Sequence, residues 1–169
     1  MKHLGAFLTL LLASSTISIL AVEPLLARNK NYEVVDSKSF MFQSTSGKAY
    51  PISNKGMAYP ATLIISGEWI ENRNKKLANV GELRITDGSL TIDTDYYAAK
   101  VYKIIKGFGI YNEKNGKLKI LCEVHELIIE PTYRLVLQGK RNADGTSFEA
   151  PESRIASQYF VEFSGQLTK

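Results

Sequence analysis

From Ala61 onward, hydrophobic and polar residues alternate with a period of two, which is typical of β-strands that bury one face. Asn, Asp, Gly and Pro interrupt the alternation at short intervals, as turns require. Each uninterrupted series predicts a strand with one apolar face. The residues of these faces are Leu63, Ile65, Gly67 and Trp69, then Leu83, Ile85, Leu90 and Ile92, then Leu118, Ile120, Cys122 and Val124, then Tyr133, Leu135, Leu137 and Gly139, and finally Tyr159, Val161, Phe163, Gly165 and Leu167.

The dipeptide Asp87-Gly88 carries the strongest hairpin signal, because both residue types tolerate the positive φ angles of a two-residue loop. With such a loop, residues 80–86 and 89–93 pair as antiparallel strands. Turn chemistry and hydrophobic pattern agree on this register. A second hairpin turn is predicted at Asn115-Gly116. The apolar pairs predicted across the first hairpin are Leu83 with Ile92 and Ile85 with Leu90.

The segment over residues 95–106 supports two interpretations. Asp95 as an N-cap and Gly107 as the residue after the last turn suit a helix. The many β-branched and aromatic residues of the segment favour a strand instead. We predict a long strand over residues 99–112, with a helical turn over residues 94–98 as the alternative.

Isolated glycines recur inside the predicted strands, where they usually mark bends or bulges. A series of antiparallel strands in meander order, each with one apolar face, must close into a barrel or divide between two sheets. The sequence therefore predicts an all-β domain over residues 59–169, an antiparallel meander of about 7–9 strands that closes into a small barrel. A two-sheet β-sandwich is the alternative. Residues 22–58 are less regular and are predicted to form an extended N-terminal lead with one candidate strand over residues 39–43.

The N-terminus has the pattern of a secretory signal peptide. Lys2 and His3 precede an uncharged stretch over residues 4–22, in which small residues follow an apolar run. Residues 1–21 are therefore predicted to be a signal peptide, so that the mature chain begins near Val22. The alternative is a membrane anchor, because residues 4–22 are just long enough to span a bilayer. Both interpretations predict a secreted or extracytoplasmic protein.

Composition narrows the chemistry further. The chain has 169 residues and a formal net charge of +4, which suits a single globular domain. Its one cysteine, Cys122, excludes an intrachain disulfide, and its place in an apolar series predicts a buried, inert thiol. Without the signal peptide only His125 remains, which excludes a metal site built on two or three histidines of one chain. No catalytic constellation is recognisable, so we predict no enzyme activity, no metal and no cofactor.

The basic surplus is spread over separate predicted loops and turns rather than gathered with stacking aromatic residues. These basic groups are Arg73-Lys75-Lys76, Lys114 with Lys117, and Lys140-Arg141. Single-stranded nucleic acid is bound by basic grooves with aromatic platforms, so we expect no nucleic-acid partner. Solvated loop charges, or weak attraction to an anionic membrane surface, are the better interpretations.

Four aromatic residues lie in phase with the buried aliphatic residues of their strands: Trp69, Tyr111, Tyr133 and Tyr159. Tyr and Trp carry polar atoms that need a hydrogen-bond partner when they are buried. Core packing explains this placement, and so does a cavity that binds a small apolar ligand. We predict that the four side chains converge inside the closed barrel, and under the cavity hypothesis they are the ligand-binding residues.

The tripeptide Gly67-Glu68-Trp69 resembles the Gly-x-Trp sequence that opens the barrel of lipocalins, and Thr94-Asp95-Tyr96 is similar to their second signature. The second signature comes far later in lipocalins, and their usual disulfide cannot form here, so the resemblance implies architecture only. Two functions follow. The first is an exported non-catalytic β-domain that acts through surface or partner interactions, for example with a component of the cell envelope. The second is a small β-barrel that binds an apolar ligand.

Overall fold

A computed structural model describes residues 34–72, 79–94, 98–128 and 131–169. Within these ranges the chain forms eight β-strands and no helix. The predicted signal peptide lies outside the described residues, as does most of the alternative helical turn over residues 94–98. The strands are β1 (Val34–Pro51), β2 (Tyr59–Asn72), β3 (Val80–Ile92), β4 (Lys100–Asn112), β5 (Lys117–Glu126), β6 (Thr132–Arg141), β7 (Ser147–Ile155) and β8 (Tyr159–Thr168).

Each strand pairs antiparallel with its neighbours in the chain, and β1 also pairs with β8, so the sheet closes into a barrel. The predicted barrel is confirmed, and the sandwich alternative is wrong. Closure hides the apolar face of every strand and removes the unpaired edges of an open sheet. We call the end of the barrel that carries the β1–β2, β3–β4, β5–β6 and β7–β8 connections the upper end. The opposite end is the lower end.

The interior of the barrel is a single hydrophobic core to which every strand contributes inward-pointing residues. An eight-stranded barrel has an interior just wide enough for side chains to fill. The apolar faces predicted from the alternation are therefore the faces that the barrel buries. The largest side chains with almost no exposed surface are Trp69, Tyr102, Phe42, Phe148, Leu63, Ile65, Leu83 and Leu90.

The predicted hairpin at Asp87-Gly88 is wrong, because β3 runs through both residues and pairs with β2 on either side of them. Thr86 is the extra residue of a β-bulge in this ladder. Gly88 is needed for a close approach, since a Cβ there would lie 2.4 Å from the carbonyl oxygen of Ile64. A one-residue bulge and a two-residue turn both reverse the phase of the alternation. Both arrangements therefore bury the same residues, Leu83, Ile85, Leu90 and Ile92.

Three further predictions concern β1, β4 and the turn that follows β4. β1 has 18 residues, which is much longer than the candidate strand over residues 39–43, and it pairs with both β2 and β8. The long strand predicted over residues 99–112 is confirmed by β4. The turn at Asn115-Gly116 is also confirmed, as part of the connection between β4 and β5. Asn112 Oδ1 shapes this turn by accepting hydrogen bonds from the backbone N–H groups of Lys114 and Asn115.

Candidate functional site

The four aromatic residues selected from the sequence all face the interior, but they lie at opposite ends of the barrel. Trp69 and Tyr111 are buried near the lower end, close to the last residues of β2 and β4. Tyr133 and Tyr159 lie near the upper end, at the starts of β6 and β8, and Tyr133 is only half-buried. The four side chains thus belong to two clusters with the aliphatic core between them. Their role as ligand-binding residues stays a prediction.

The lower cluster consists of Phe40, Trp69 and Tyr111 with the cationic side chains of Arg141 and Lys169. The Trp69 and Tyr111 rings have centroids 4.0 Å apart and are tilted by 38°. Phe40 meets Trp69 edge to face, with ring centroids 6.1 Å apart. Lys169 Nζ lies 3.6 Å from the Trp69 ring centroid, and Arg141 Cζ lies 5.5 Å from it. Both distances fall within the range of cation–π attraction.

Two local features of the sequence assemble the lower cluster. Lys169 continues the alternation of β8, so it follows Leu167 on the inward face. Gly81 lies opposite Tyr111 in the ladder between β3 and β4. A Cβ on Gly81 would lie 2.0 Å from the Tyr111 ring, so the glycine leaves the space that this ring occupies.

The electrostatics of the lower cluster reflect its burial. Burial raises the pKa of Tyr111 to about 12, and the Glu113 carboxylate adds to the rise. The nearby Trp69 indole acts in the opposite direction and lowers the pKa of Tyr111. The buried Trp69 Nε1 nevertheless forms no hydrogen bond of normal geometry. Burial also lowers the pKa of Lys169, and Arg141 lowers it further, whereas Glu113 acts in the opposite direction. The lower cluster therefore holds an ammonium group over aromatic rings beside an indole N–H without an acceptor.

The upper cluster consists of Tyr102, Tyr133 and Tyr159 with the polar side chains of Gln158 and Glu126. The Tyr102 hydroxyl donates a hydrogen bond to Gln158 Oε1 at 2.5 Å, and its ring meets Tyr133 edge to face. Burial raises the pKa of Tyr102 well above its ordinary value, and the nearby Glu126 carboxylate raises it further. The hydroxyl therefore remains a proton donor throughout the physiological pH range.

Glu126 is a carboxylate with only 3% of its surface exposed. Its Oε1 lies 3.6 Å from Lys100 Nζ, whereas its Oε2 is buried without a hydrogen-bond partner. Lys100 Nζ also lies 5.6 Å from the centroid of the Tyr159 ring. A buried carboxylate is costly unless a cation and hydrogen bonds compensate for the lost water. Lys100 therefore supplies the charge compensation at the upper end.

The outer surface of β4, β5 and β6 combines exposed apolar residues with many basic ones, and we call it the basic outer face. Glu123 is the single carboxylate among the described outward residues of these strands, and it pairs with Lys106 at 3.3 Å. The apolar members are Ile105, Phe108, Ile110, Leu121 and Val136, and the basic members are Lys103, Lys106, Lys117, Lys119, Arg134 and Lys140.

The apolar members of the basic outer face lie side by side. Phe108 is opposite Leu121, and Leu121 is opposite Val136 in the next ladder. Ile110 projects beside them with 52% of its surface exposed, and Ile105 is similarly exposed at a bulge of β4. A contiguous apolar area rimmed by polar groups is typical of an interaction surface.

The outer surface of β1, β2 and β3 differs in kind, and we call it the hydroxyl outer face. Its charged side chains include the Arg84–Glu68 ion pair, with Nη1 and Oε2 only 2.9 Å apart. It also carries exposed Ile64 and Met41, but these are isolated among polar residues. Many of its outward positions carry hydroxyl groups, as at Ser39, Thr62, Ser66, Thr86, Ser89 and Thr91.

Two large grooves, of about 710 and 670 Å³, lie on the outer surface beside Pro151. Pro151 has no N–H to donate, and β7 bulges here while its pairing with β6 is interrupted. The Gln138 N–H donates instead to Ser153 Oγ at 3.1 Å, which compensates for a lost ladder bond. Side chains of both signs line the grooves, and of the four predicted residues only Tyr111 reaches either one.

The remaining candidate groups show no reactive arrangement. Cys122 is buried as predicted, and burial raises its pKa to about 12, so it remains a thiol at neutral pH. His125 is half-buried on the outer surface of β5. The part of the chain that the structure describes contains no group of three His, Cys, Asp or Glu residues placed to hold a metal ion.

Sequence reasoning missed Tyr102, Glu126 and Lys169. Glu126 continues the inward alternation of β5 after Val124, and Lys169 continues that of β8, so a charged residue in phase with an apolar face was the available signal. Tyr102 was harder to place, because the bulge in β4 changes the phase of the alternation after it.

Comparison with protein-family models, with curated protein sequences and with solved structures gave no match to this chain. Among the residues described, none forms a helix with the length and apolarity that a membrane crossing needs.

Proposed function

We propose that the protein is an exported, non-catalytic β-barrel domain that docks through its basic outer face onto a membrane surface rich in anionic lipids. The observation that carries the proposal is the group of exposed Ile105, Phe108 and Ile110 side chains among six basic residues. The signal-peptide pattern of residues 1–21 supports export.

The two kinds of side chain on the basic outer face have complementary effects at a lipid surface. Each Lys or Arg held near an anionic surface contributes about 1 kcal/mol of attraction. Apolar side chains gain further free energy when they enter the boundary between headgroups and acyl chains. Lys106 pairs with Glu123, and no ion pair within the described ranges involves the other five basic residues, so their charge is available to a partner.

The alternative function, a barrel that binds a small apolar ligand in its centre, receives no specific support from the interior. The four aromatic residues proposed to line such a cavity lie in two clusters, and described side chains of every strand pack into the core between them. The two grooves beside Pro151 open on the outer surface instead.

Vesicle co-sedimentation tests the proposed docking. The mature chain should bind vesicles of mixed phosphatidylglycerol and phosphatidylcholine at 0.1 M salt, and should bind pure phosphatidylcholine vesicles much less. The double variant Lys119→Glu/Arg134→Glu should bind the anionic vesicles at least about thirtyfold more weakly, given about 1 kcal/mol for each basic residue. Both positions are exposed, so the fold should be unaffected.

The matched control is Lys48→Glu/Arg84→Glu, which makes the same change in net charge on the hydroxyl outer face. It should retain most of the binding. Equal losses in the two double variants would show that only net charge matters and would overturn the docking face. Ile110→Ser gives a second measurement, because it should weaken binding while leaving the charge unchanged.

A further inference from the structure

The lower end of the barrel carries a second, independent binding feature. The rings of Trp69 and Tyr111, from β2 and β4, lie beside one ammonium group, that of Lys169, and Phe40 of β1 packs edge to face against Trp69. Trp69 and Tyr111 are buried, so their faces are held in place by the packed core rather than by solvent-exposed loops. Rigid aromatic faces around a cation are the arrangement that proteins use to recognise quaternary ammonium groups.

We propose that the lower cluster is a binding site for methylated ammonium compounds of the choline type, and that the Lys169 side chain is its intramolecular occupant. The proposal rests on the position of Lys169 Nζ, 3.6 Å from the Trp69 ring centroid and 5.6 Å from the Tyr111 ring centroid. This is the place that the cationic group of a ligand takes when it displaces the lysine.

The charges around the site permit this exchange. Arg141 and Lys38 act on the Lys169 ammonium as like charges, and Glu113 and Glu71 act on it as opposite charges. Two like and two opposite charges therefore surround a point at which the folded protein already holds one positive charge. When Lys169 is replaced by alanine, a ligand cation at this point restores that number of charges.

The choice of a methylated ammonium follows from hydration. Burial disfavours the Lys169 ammonium because a primary ammonium is a compact, strongly hydrated charge. A quaternary ammonium spreads the same charge over methyl groups, loses less hydration on burial and keeps the attraction to the ring faces. In addition, the buried Trp69 Nε1 has no acceptor, and a hydroxyl or carboxylate on the ligand provides one.

The test is a titration with choline that is monitored by the fluorescence of Trp69, the single tryptophan of the chain. Choline should bind the wild-type protein weakly, because it competes with Lys169. The Lys169→Ala variant should bind choline between about threefold and thirtyfold more tightly, which corresponds to the range of cation–π interactions. Lys114→Ala removes an exposed lysine from the connection between β4 and β5, at the same end of the barrel, and should leave the affinity unchanged.

Two further measurements test whether the charge of the ligand is recognised and whether the ligand is free choline or a lipid headgroup. The neutral isostere 3,3-dimethylbutan-1-ol has the shape of choline without its charge, and it should bind Lys169→Ala at least about threefold more weakly than choline. Binding to phosphatidylcholine vesicles, compared with binding of free choline, distinguishes a lipid headgroup from free choline as the ligand. Equal affinities of wild type and Lys169→Ala for choline would overturn the proposal, and so would equal binding of choline and its neutral isostere.

Discussion

The two ends of the barrel are closed by different chemistry, although the aromatic residues of the lower and upper clusters all lie on the inward face of the sheet. At the lower end the polar partners of the rings are the cations Lys169 and Arg141, which lie over the Trp69 face. At the upper end the Tyr102 hydroxyl forms a hydrogen bond with Gln158, and a buried carboxylate pairs with a lysine.

This difference shows that the inward alternation of a strand determines which side chains meet at a barrel end, but not how their polar atoms are satisfied. Cation–π attraction places few angular demands on the cation, so the lysine of the lower cluster can be exchanged for another cation. Hydrogen bonds and buried ion pairs depend on specific partners, so the upper cluster is costly to change. The ends are therefore expected to respond differently to substitution.

The largest effect is expected from Trp69→Ala at the lower end. Trp69 has 1% of its surface exposed and contacts Phe40 and Tyr111, so its removal should cost about 3–5 kcal/mol of unfolding free energy. Urea titration measures this loss. Tyr133→Ala at the upper end should cost less, because that ring is only half-buried. A loss below about 1 kcal/mol for Trp69→Ala would mean that the lower end is not packed as described.

A smaller effect is expected from Lys100→Met at the upper end. This change leaves the Glu126 carboxylate buried without its cation, and a loss of about 2 kcal/mol is expected at pH 7 because Lys100 itself is partly exposed. Urea titration of the wild type and the variant at pH 7 measures this loss.

The controls for Lys100→Met are a second lysine substitution on β4 and a substitution of its partner Glu126. Lys103→Met removes an exposed lysine from the outer surface of the same strand and should change stability little. Adding Glu126→Gln to Lys100→Met should recover part of the loss, because the buried group is then neutral. A double variant that is no more stable than Lys100→Met alone would show that the ion pair does not explain the effect.

The smallest effect at neutral pH is expected from Tyr102→Phe, which removes the hydrogen bond to Gln158 and should cost about 1 kcal/mol. The effect of this substitution on the free energy of unfolding should change at alkaline pH. The pKa of Tyr102 is raised in the folded protein, so above pH 10 the unfolded chain loses a proton that the folded protein keeps, and stability falls as pH rises. Tyr102→Phe should remove part of this fall.

The corresponding variant at the lower end is Tyr111→Phe. The pKa of Tyr111 is also raised, to about 12, so this variant should flatten the alkaline part of the stability curve as well. Chemical denaturation between pH 8 and pH 11 measures both slopes. An unchanged slope in both variants would show that neither tyrosine keeps its proton at the barrel ends.

Much of the fold was predictable from local pattern, and the lower and upper clusters were predictable in part. The inward positions of Trp69, Tyr111 and Tyr159 follow from alternation alone, and the structure buries all three. The pairing of Tyr133 and Tyr159 with Tyr102 was not predictable, because it joins β4, β6 and β8, and alternation within one strand carries no information about other strands.

The error at Asp87-Gly88 has a specific physical cause. β2 is a long strand, and a turn at these residues would have left its backbone N–H and C=O groups without partners over half of its length. Continuing β3 along β2 satisfies them at the cost of one bulge at Thr86. A local turn signal was thus overridden by hydrogen bonding with a strand earlier in the chain.

The sequence by itself determined that this is a β-protein and which apolar residues of most strands face inward. These properties are local, since they depend on residue type and on a period of two. Only the tertiary structure decided where strands end, how the sheet closes between β1 and β8, and which inward residues meet at each end of the barrel. Those properties depend on backbone hydrogen bonds and packing between residues that lie far apart in the chain, and no local pattern encodes them.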